Sequence, residues 1–425
     1  MTVIGLDDTD SRTRGMCTTY LATQLSKAIK QAGGSITRQL LIRLNPAIEF
    51  KTRGNAAVAI HTDFNATTAF EITQDLIEEY AEMSDVNTSP GVVVSPESPD
   101  AIPEVISQFS FKAIRERISI ERASELASTA GYAQQGWDGG RGRIGALAAI
   151  GAWTGLDSWT FEQIAYREFD RCGTPRSIDT NSVFTAAEQG YPQTWDTVDR
   201  EATETVCVPA APGPILFGIR GDSIAATTTV ADAIESEPVV QRTVFYTNQG
   251  TDQHLRDGKI GALEENKAYR VGGEVHTAPS TGPGGHVTFK IIDHRRNTAP
   301  FTCIAFEPTK RFRDHVRLLR VGDRLTVCGE VSAGSIKLEK FALEERVESA
   351  ITTPNCPECS RTMKSAGRQQ GYRCRRCNTR EPGKVTVPIE RDIEPGWYEV
   401  PPVARRHIAK PLVRGGFNGE IHPSR

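Results

Sequence analysis

TVIGLDDTDSRTRGMCTTYLATQLSKAIKQA, residues 2–32, reads as strand, loop and helix. Residues Thr2 to Leu6 are a short β-branched run, and from Met16 to Ala32 the apolar side chains Tyr20, Leu21, Leu25, Ala28 and Ile29 recur at helical spacing. Between them stand Asp7, Asp8 and Asp10, three carboxylates in four residues, with Thr9 and Ser11. Such a cluster repels itself unless a hard cation sits among it, and Mg²⁺ held through one or two carboxylates plus phosphate oxygens is the usual resolution. The continuation through Arg12, Arg14, Gly15, Thr18 and Thr19 places two cations, a glycine and two hydroxyls at a helix N-terminus, where backbone N–H groups attract phosphate. A Mg-nucleotide site follows. No Lys precedes Thr18, so the loop is not a Walker A sequence.

Reading outward, Ser35 to Leu44 and Ala56 to His61 are expected strands and Thr67 to Met83 an amphipathic helix, with helical character continuing to about Tyr132. This gives a first α/β domain. Lys51, Thr52, Arg53 and Gly54 make a short cationic turn whose glycine would let the backbone approach a phosphate. Two helices are expected next, Gly145 to Trp153 and Thr160 to Arg167, the second opened by a Thr160/Gln163 capping box. Gly140 to Gly145 matches G-x-G-x-x-G, but the pattern shows no strand before it, so a hinge or phosphate-contact loop is the better reading than a dinucleotide site. A strand over Ile215 to Arg220, a helix over Ile224 to Ile234 and a strand over Thr243 to Thr247 suggest a second small domain, ending near His254. From Tyr269 the apolar period switches to two, and about five strands in some 80 residues suit an OB-fold barrel.

The strongest single signal lies further on: Cys356-x2-Cys359 and, after 14 intervening residues, Cys374-x2-Cys377. Two such turns brought together complete the closed tetrahedron that structural Zn²⁺ prefers. The other five of the nine cysteines are scattered, which fits a reducing compartment, and a cytoplasmic home is expected. Residues 351–425 carry 14 Lys/Arg against 7 Asp/Glu, whereas the preceding 350 carry 36 against 46. A basic ribbon beside a barrel is a common nucleic-acid grip. In the 425-residue chain, 38% hydrophobic and 24% charged residues exclude collagen-like, disordered and coiled-coil classes. The longest apolar stretch, Ile144 to Trp153, falls far short of the roughly 20 residues needed to cross a bilayer, so no membrane association is expected.

The order of motifs, IGLDDTDS (4–11), RGMCTTYLA (14–22), LIRLNPAI (41–48), FKTRGN (50–55), GRIGALAAIGA (142–152), YPQTWDTVD (191–199), PILFGIRG (214–221), TNQGTDQH (247–254), CIAFEPTKRFR (303–313), the four-cysteine ribbon and GWYEVPPVARRHIAKPL (396–412), closely resembles the archaeal isoleucine-tRNA 2-agmatinylcytidine synthetases over essentially the whole chain. The resemblance implies a multidomain α+β protein: an α/β kinase-like ATP-binding domain (1–135), a ferredoxin-like domain (136–257), an OB-fold β-barrel (265–346) and a zinc ribbon with a basic tail (352–425). It implies a ligase that uses ATP to phosphorylate the C2 oxygen of the wobble cytidine of the CAU-anticodon isoleucine tRNA and replaces that oxygen with agmatine. ATP, Mg²⁺ and Zn²⁺ are the implied cofactors, and no obligate protein partner is expected.

Carried onto this chain, the resemblance makes Asp7, Asp8, Asp10 and Thr18 catalytic, with Asp7 and Asp8 on magnesium and Thr18 in the place of an autophosphorylated threonine. Arg14, Gly15, Thr19, Lys51, Arg53 and Gly54 are expected at ATP phosphates. Asp196 and Asp199 are candidates for agmatine, because a dication needs carboxylates. Lys310, Arg311, Arg313, Arg368, Arg373, Arg375, Arg376, Arg405, Arg406 and Lys410 are expected at tRNA. Two other readings stand beside this one. A non-catalytic single-strand binder would use the barrel and ribbon but leave Asp7 to Thr19 unexplained; a phosphohydrolase would use Asp8-x-Asp10 as a two-aspartate signature.

Overall fold

The computed structural model describes residues 1–49, 54–293 and 298–425. Among these, one mixed sheet runs through the first 250 residues. Its strands are β1 (Thr2–Asp7), β2 (Ile36–Arg43), β3 (Ala56–Thr62), β4 (Gly91–Ser95), β5 (Ala133–Gly136), β6 (Thr160–Tyr166), β7 (Thr194–Trp195), β10 (Ile215–Gly221) and β11 (Gln241–Thr247), with a small separate pair, β8 (Val198–Asp199) and β9 (Glu204–Thr205). The spatial order is β5-β4-β1-β3-β2-β11-β6-β10-β7. Along β1 successive side chains enter opposite layers, as the two-residue period of a strand requires. Ile4 and Leu6 pack with Leu21, Leu25 and Ile29 of α1 (Thr18–Gln31) and with Ile77 of α2 (Ala66–Tyr80). Val3 packs on the other face with α3 (Glu104–Arg115), α4 (Ile120–Thr129) and α5 (Gly142–Gly155). A strand covered on both faces explains the unbroken apolar run at residues 3–6.

The two halves of the sheet meet at a very short joint. β11 pairs β2 in parallel through just Tyr246↔Leu40 and Thr247↔Leu41. Beyond it the Asn248 side chain continues the ladder: its Oδ1 accepts from the Arg43 N–H at 2.7 Å and its Nδ2 donates to the Arg43 carbonyl at 3.0 Å. Asn248 is fully buried. In the second half, β6, α6 (Thr180–Gly190), β7, β10, α7 (Ile224–Asp232) and β11 follow a β-α-β-β-α-β path, and each neighbouring pair within β11-β6-β10-β7 is antiparallel.

Two expectations are corrected here. The expected helix Thr160 to Arg167 is instead strand β6, which ends at Tyr166: it lies between β10 and β11 with both faces covered, so no alternation betrays it. The Thr160 hydroxyl, expected as a helix cap, donates to the carbonyls of Thr247 and Gln249 at 3.3 and 2.8 Å. A strand also does precede Gly140 to Gly145. It is the four-residue edge strand β5, whose sequence AQQG carries no apolar pattern. It runs antiparallel to β4, so the parallel βαβ unit of a dinucleotide site is absent there. β1 is likewise antiparallel to both neighbours, which removes the parallel-sheet setting of the two-aspartate phosphohydrolase reading.

The second system is a barrel. Short β12 (Leu255–Asp257) leads into β13 (Ala268–Thr281), β14 (Val287–Ile292), β15 (Phe301–Ala305), α8 (Phe312–Arg317), β16 (Arg324–Ser332) and β17 (Ser335–Glu345). Pairing runs β13-β14-β15-β17-β16 and back to β13, closing five strands around Phe289, Phe312, Val327 and Phe341. After the cysteine-bearing segment the chain returns: strand Gly396–Glu399 adds to β17. The following residues then lie along the end of β11, with Gly250 N–H donating to the His407 carbonyl and Thr251 and Asp252 N–H to that of Ile408, at 2.8–3.1 Å. This strap ties barrel to sheet.

Asn248→Leu is expected to leave a buried amide and carbonyl of Arg43 unsatisfied and to cost about 2–4 kcal/mol. Chemical denaturation followed by tryptophan fluorescence measures this, and a loss below about 0.5 kcal/mol would mean that the Asn248 bonds do not hold the joint.

Candidate active site

The acidic elbow opens onto a cavity of about 990 Å³ at the joint between the two sheet halves. Asp7, Asp8, Asp10, Cys17, Thr18 and Thr19 line one wall; Arg43, Gly54, Glu162 and Arg220 line the sheet side; Arg141 with Gly142, Ile144 and Gly145 at the start of α5, and Arg405 and His407 of the strap, complete it. The elbow's shape follows from its sequence. Asp8 and Met16 adopt left-handed backbone (φ 60° and 57°), and Ser11 and Gly15 bridge to close the loop. Thr18 opens α1, its hydroxyl accepting from the Thr9 hydroxyl at 3.1 Å. Cys17 supplies no side-chain cap, so the positive end of a 14-residue helix dipole lies beside the Thr18 hydroxyl.

Burial, and then the adjacent Asp8, push the Asp7 carboxyl well above the usual carboxylate range. Ionised, this group needs a cation. Arg141 Nη2 lies 2.8 Å from Asp8 Oδ2, and the Asp7 side chain packs against the first turn of α5. That packing requires glycine: a Cβ on Gly145 would stand 1.9 Å from Asp7 Oδ2. Asp7, Asp8 and Asp10 line one wall without being gathered on a single point, unlike the cysteines described below. Such an array suits Mg²⁺, which takes one or two carboxylates and completes its shell with water and phosphate.

Across the cavity a buried chain of alternating charges links three parts of the protein. Arg43 Nη2 is 3.9 Å from Glu162 Oε2, Arg220 Nε 3.4 Å from Glu162 Oε1, and Arg220 Nη1 3.5 Å from Asp196 Oδ2. Arg405 pairs with Asp196 and, at 2.7 Å, with Glu399. Against its burial, Asp196 and Glu399 hold the Arg405 pKa above the ordinary value. Burial, reinforced by Arg220 and Arg43, drives the His407 pKa far down, so this imidazole is neutral.

The residues expected from sequence separate accordingly. Asp7, Asp8, Asp10, Thr18, Thr19 and Gly54 share the cavity. Lys51 and Arg53 lie outside the described residues. Arg14 and Gly15, expected at phosphate, are not among the lining residues. The loop turns outward because the Ser11 hydroxyl donates to Asp85 at 2.5 Å and accepts from the N–H groups of Thr13 and Arg14, and Arg14 bonds to Ser84. Gly15 instead admits a neighbouring loop, since a Cβ there would meet the Pro212 carbonyl at 2.6 Å.

Asp196 and Asp199, expected at agmatine, lie away from this cavity. Neither lines the cavity; Asp196 is held between Arg220 and Arg405, and fully buried Asp199 pairs with Arg311 at 3.0 Å. Glu162 on β6 is the carboxylate from the second half of the sheet that does line it, and as part of a strand whose sequence reads as a helix it carries no signal. Arg405, expected at tRNA, has its side chain 3% exposed and committed to Asp196 and Glu399. Arg311 is likewise engaged, with Asp199 and Glu201, and Arg406 with Glu330 and Glu339. Arg313 bonds to Glu307 and the Gly285 carbonyl, Lys410 lies 5.5 Å from the Phe417 ring, and Lys310 is exposed. Arg368, Arg373, Arg375 and Arg376 are all exposed.

Those last four surround the cysteine tetrad. The Sγ atoms of Cys356, Cys359, Cys374 and Cys377 all lie within 4.8 Å of one another, the one such group among the described residues. Cys359 and Cys374 sulfurs are 3.6 Å apart, close to the roughly 3.8 Å edge of a tetrahedron with 2.3 Å Zn–S bonds. The Cys377 and Arg376 N–H groups bring the Cys374 thiol down to about 6, as a thiolate ligand needs. The tetrad fits Zn²⁺.

Gly145→Ala is expected to displace Asp7 and reduce ATP turnover by about 10²-fold or more while costing about 1–3 kcal/mol of stability; a turnover within three-fold of the parent would refute the packing argument. Chelating zinc should melt the ribbon, weaken RNA binding and flatten its salt dependence. Filter binding across a salt series checks this, and an unchanged slope would remove the ribbon arginines from RNA contact.

Three family models match parts of the chain. Residues 3–63 match the TiaS TCKD domain, 140–254 the TiaS FLD domain and 353–393 the TiaS C-terminal zinc ribbon domain. The isoleucine-tRNA 2-agmatinylcytidine synthetase TiaS of Haloquadratum walsbyi is 54% identical, with 100% of both chains covered. A solved complex of TiaS with its isoleucine tRNA and ATP is 40% identical with a TM-score of 0.90 over 100% of this chain and 99% of that one. A complex of TiaS with the same tRNA, AMPCPP and agmatine is 38% identical with a TM-score of 0.87, covering 100% of this chain and 99% of that chain. With likeness of this degree over its full length, the chain belongs to the TiaS family.

Proposed function

We propose that this protein is an ATP-dependent isoleucine-tRNA 2-agmatinylcytidine synthetase, joining agmatine to the wobble cytidine of the CAU-anticodon isoleucine tRNA. The observation that carries the reading is the acid-lined cavity around Thr18 in a chain that matches such synthetases end to end. The chemistry needs this combination. The C2 oxygen of cytidine is a poor leaving group, so ATP must first phosphorylate it; the agmatine amine then attacks C2 and phosphate departs with the C–O electron pair. A base buried in a stacked anticodon cannot reach such a cavity, so the cytidine is turned out of the stack.

On this reading Asp7 and Asp8 would hold Mg²⁺, which when bound neutralises phosphate charge. Asp10 completes the acidic wall. Thr18, at the positive end of α1, is placed to receive a phosphoryl group. The divisions are a kinase-like domain over 1–135, a ferredoxin-like domain over 136–257, an OB-fold over 265–346 and a ribbon with basic tail over 352–425. The antiparallel β-α-β-β-α-β path and the five-strand closure with α8 between β15 and β16 support the middle two names. The exposed arginines Arg368, Arg373, Arg375 and Arg376 serve as phosphate contacts. For the agmatine dication, Glu162 replaces Asp196 and Asp199 as the candidate carboxylate. A purely binding role would leave the cavity and its buried carboxyl without a purpose.

Asp8→Asn should abolish ATP turnover while leaving tRNA affinity within a few-fold. Both are read from one preparation, by ATP consumption and by filter binding; parallel loss of the two would mean that the aspartates are structural. The product itself is checked by mass spectrometry of the anticodon nucleoside after incubation with ATP and agmatine.

A further inference from the structure

The loop from Gly140 to Gly145 resembles no dinucleotide site, yet its second residue reaches into the acidic elbow. Arg141 Nη2 bonds to Asp8 Oδ2 at 2.8 Å and to the Asn87 carbonyl at 2.7 Å, with 29% of the side chain exposed. Its backbone is anchored: the Arg141 N–H donates to the Ser89 hydroxyl at 2.9 Å and the Gly142 N–H to the Ser89 carbonyl at 2.8 Å. The long side chain thus pivots from a fixed base at the start of α5, on the wall of the cavity that holds Thr18.

We propose that Arg141 is a catalytic residue that exchanges partners: it neutralises Asp8 while no divalent cation is bound, and when Mg²⁺ takes Asp8 it transfers its guanidinium to the phosphoryl group in flight. The inference rests on the reading that Asp7 and Asp8 hold the metal. Physical reasons favour such an exchange. Asp8 sits 11% exposed beside two other carboxylates, so a cation is needed there in every state. A divalent ion on Asp8 attracts the carboxylate more strongly than Arg141 does and repels the guanidinium, which then has five N–H donors to satisfy in a cavity built for a polyphosphate. In the transfer, one P–O bond breaks in the triphosphate, its electron pair leaving with the nucleotide oxygen, and one forms to the C2 carbonyl oxygen of the cytidine, which has no proton to lose. Arg141 gains and loses no proton; it adds charge beside the equatorial oxygens, which is how a guanidinium accelerates phosphoryl transfer.

The test uses the full-length protein and Mn²⁺ as the metal probe, titrated without nucleotide by electron paramagnetic resonance. Removing the competing cation in Arg141→Met should tighten Mn²⁺ binding about five-fold and slow ATP turnover by about 10²-fold or more. Arg141→Lys keeps the cation but loses the bidentate fork, so Mn²⁺ affinity should stay within two-fold while turnover still falls by about ten-fold. If Arg141→Met melts early, the Lys variant carries the test. Weaker or unchanged Mn²⁺ binding in a folded Arg141→Met protein would make Arg141 a scaffold for Asp8 and overturn the proposal. Turnover within three-fold of the parent in either variant would overturn it as well. A parent protein that consumes no ATP would sink the functional reading instead, and the nucleotide-free Mn²⁺ titration would still decide the exchange.

Discussion

Everything in the catalytic half depends on a joint two residues long. Parallel strands rarely meet through so few pairs, because each ladder bond left unmade at the seam exposes backbone that must be satisfied elsewhere. Here Asn248 imitates the next residue of a strand and takes both the N–H and the carbonyl of Arg43. The backbone of Arg43 is thereby fixed to one half while its side chain reaches Glu162 in the other. One sheet instead of two gives the cavity a rigid floor to which a nucleotide and a base can both be presented. A mobile joint would forfeit the fixed geometry on which transfer chemistry depends.

The charges of that floor are organised by the same joint. From Arg43 through Glu162, Arg220, Asp196 and Arg405 to Glu399, acid and base alternate across β2, β6, β10, the loop after β7 and the strap. Buried ions in such a chain are tolerable because each is paired, and removing one partner would leave its neighbour as an uncompensated buried charge, at a cost of about 3–5 kcal/mol. The chain also answers why the segment after the zinc ribbon comes back across the molecule. It delivers Arg405 and His407 to the cavity wall and buries Lys340 against Asp252 at 2.7 Å on the way. The ribbon and the elbow are therefore connected by covalent chain as well as by packing.

The sequence makes some elements legible and hides others for identifiable reasons. β1, α1, β2, β3 and the barrel strands announce themselves by period, and the cysteine spacing announces its own geometry. β6 reads as a helix because a strand buried on both faces loses its alternation, and its threonine mimics a helix cap. β5 escapes notice because an exposed edge strand needs no apolar residues. Asp196 and Asp199 look available because a dication needs carboxylates; the cation beside each is arginine brought in by folding, in the case of Arg405 from 209 positions along the chain. Glu162 gives no usable signal, and Arg141 gives only that of a glycine-rich hinge or phosphate-contact loop, since the partners of both come from distant parts of the chain.

What the sequence by itself determined is local: an acidic elbow between a strand and a helix, a thiolate tetrad at metal spacing, an alternating barrel and a basic far end. These follow from side-chain chemistry and periodicity within a few residues. The tertiary structure decided which charges are spent on one another and which remain for a substrate. Asp196 is closed off between Arg220 and Arg405, whereas Asp8 beside Arg141 and Glu162 beside Arg43 and Arg220 are paired on the wall of an open cavity, where a substrate can compete for them; ion pairing depends on distances of a few ångström between residues far apart in the chain, and only folding sets those distances.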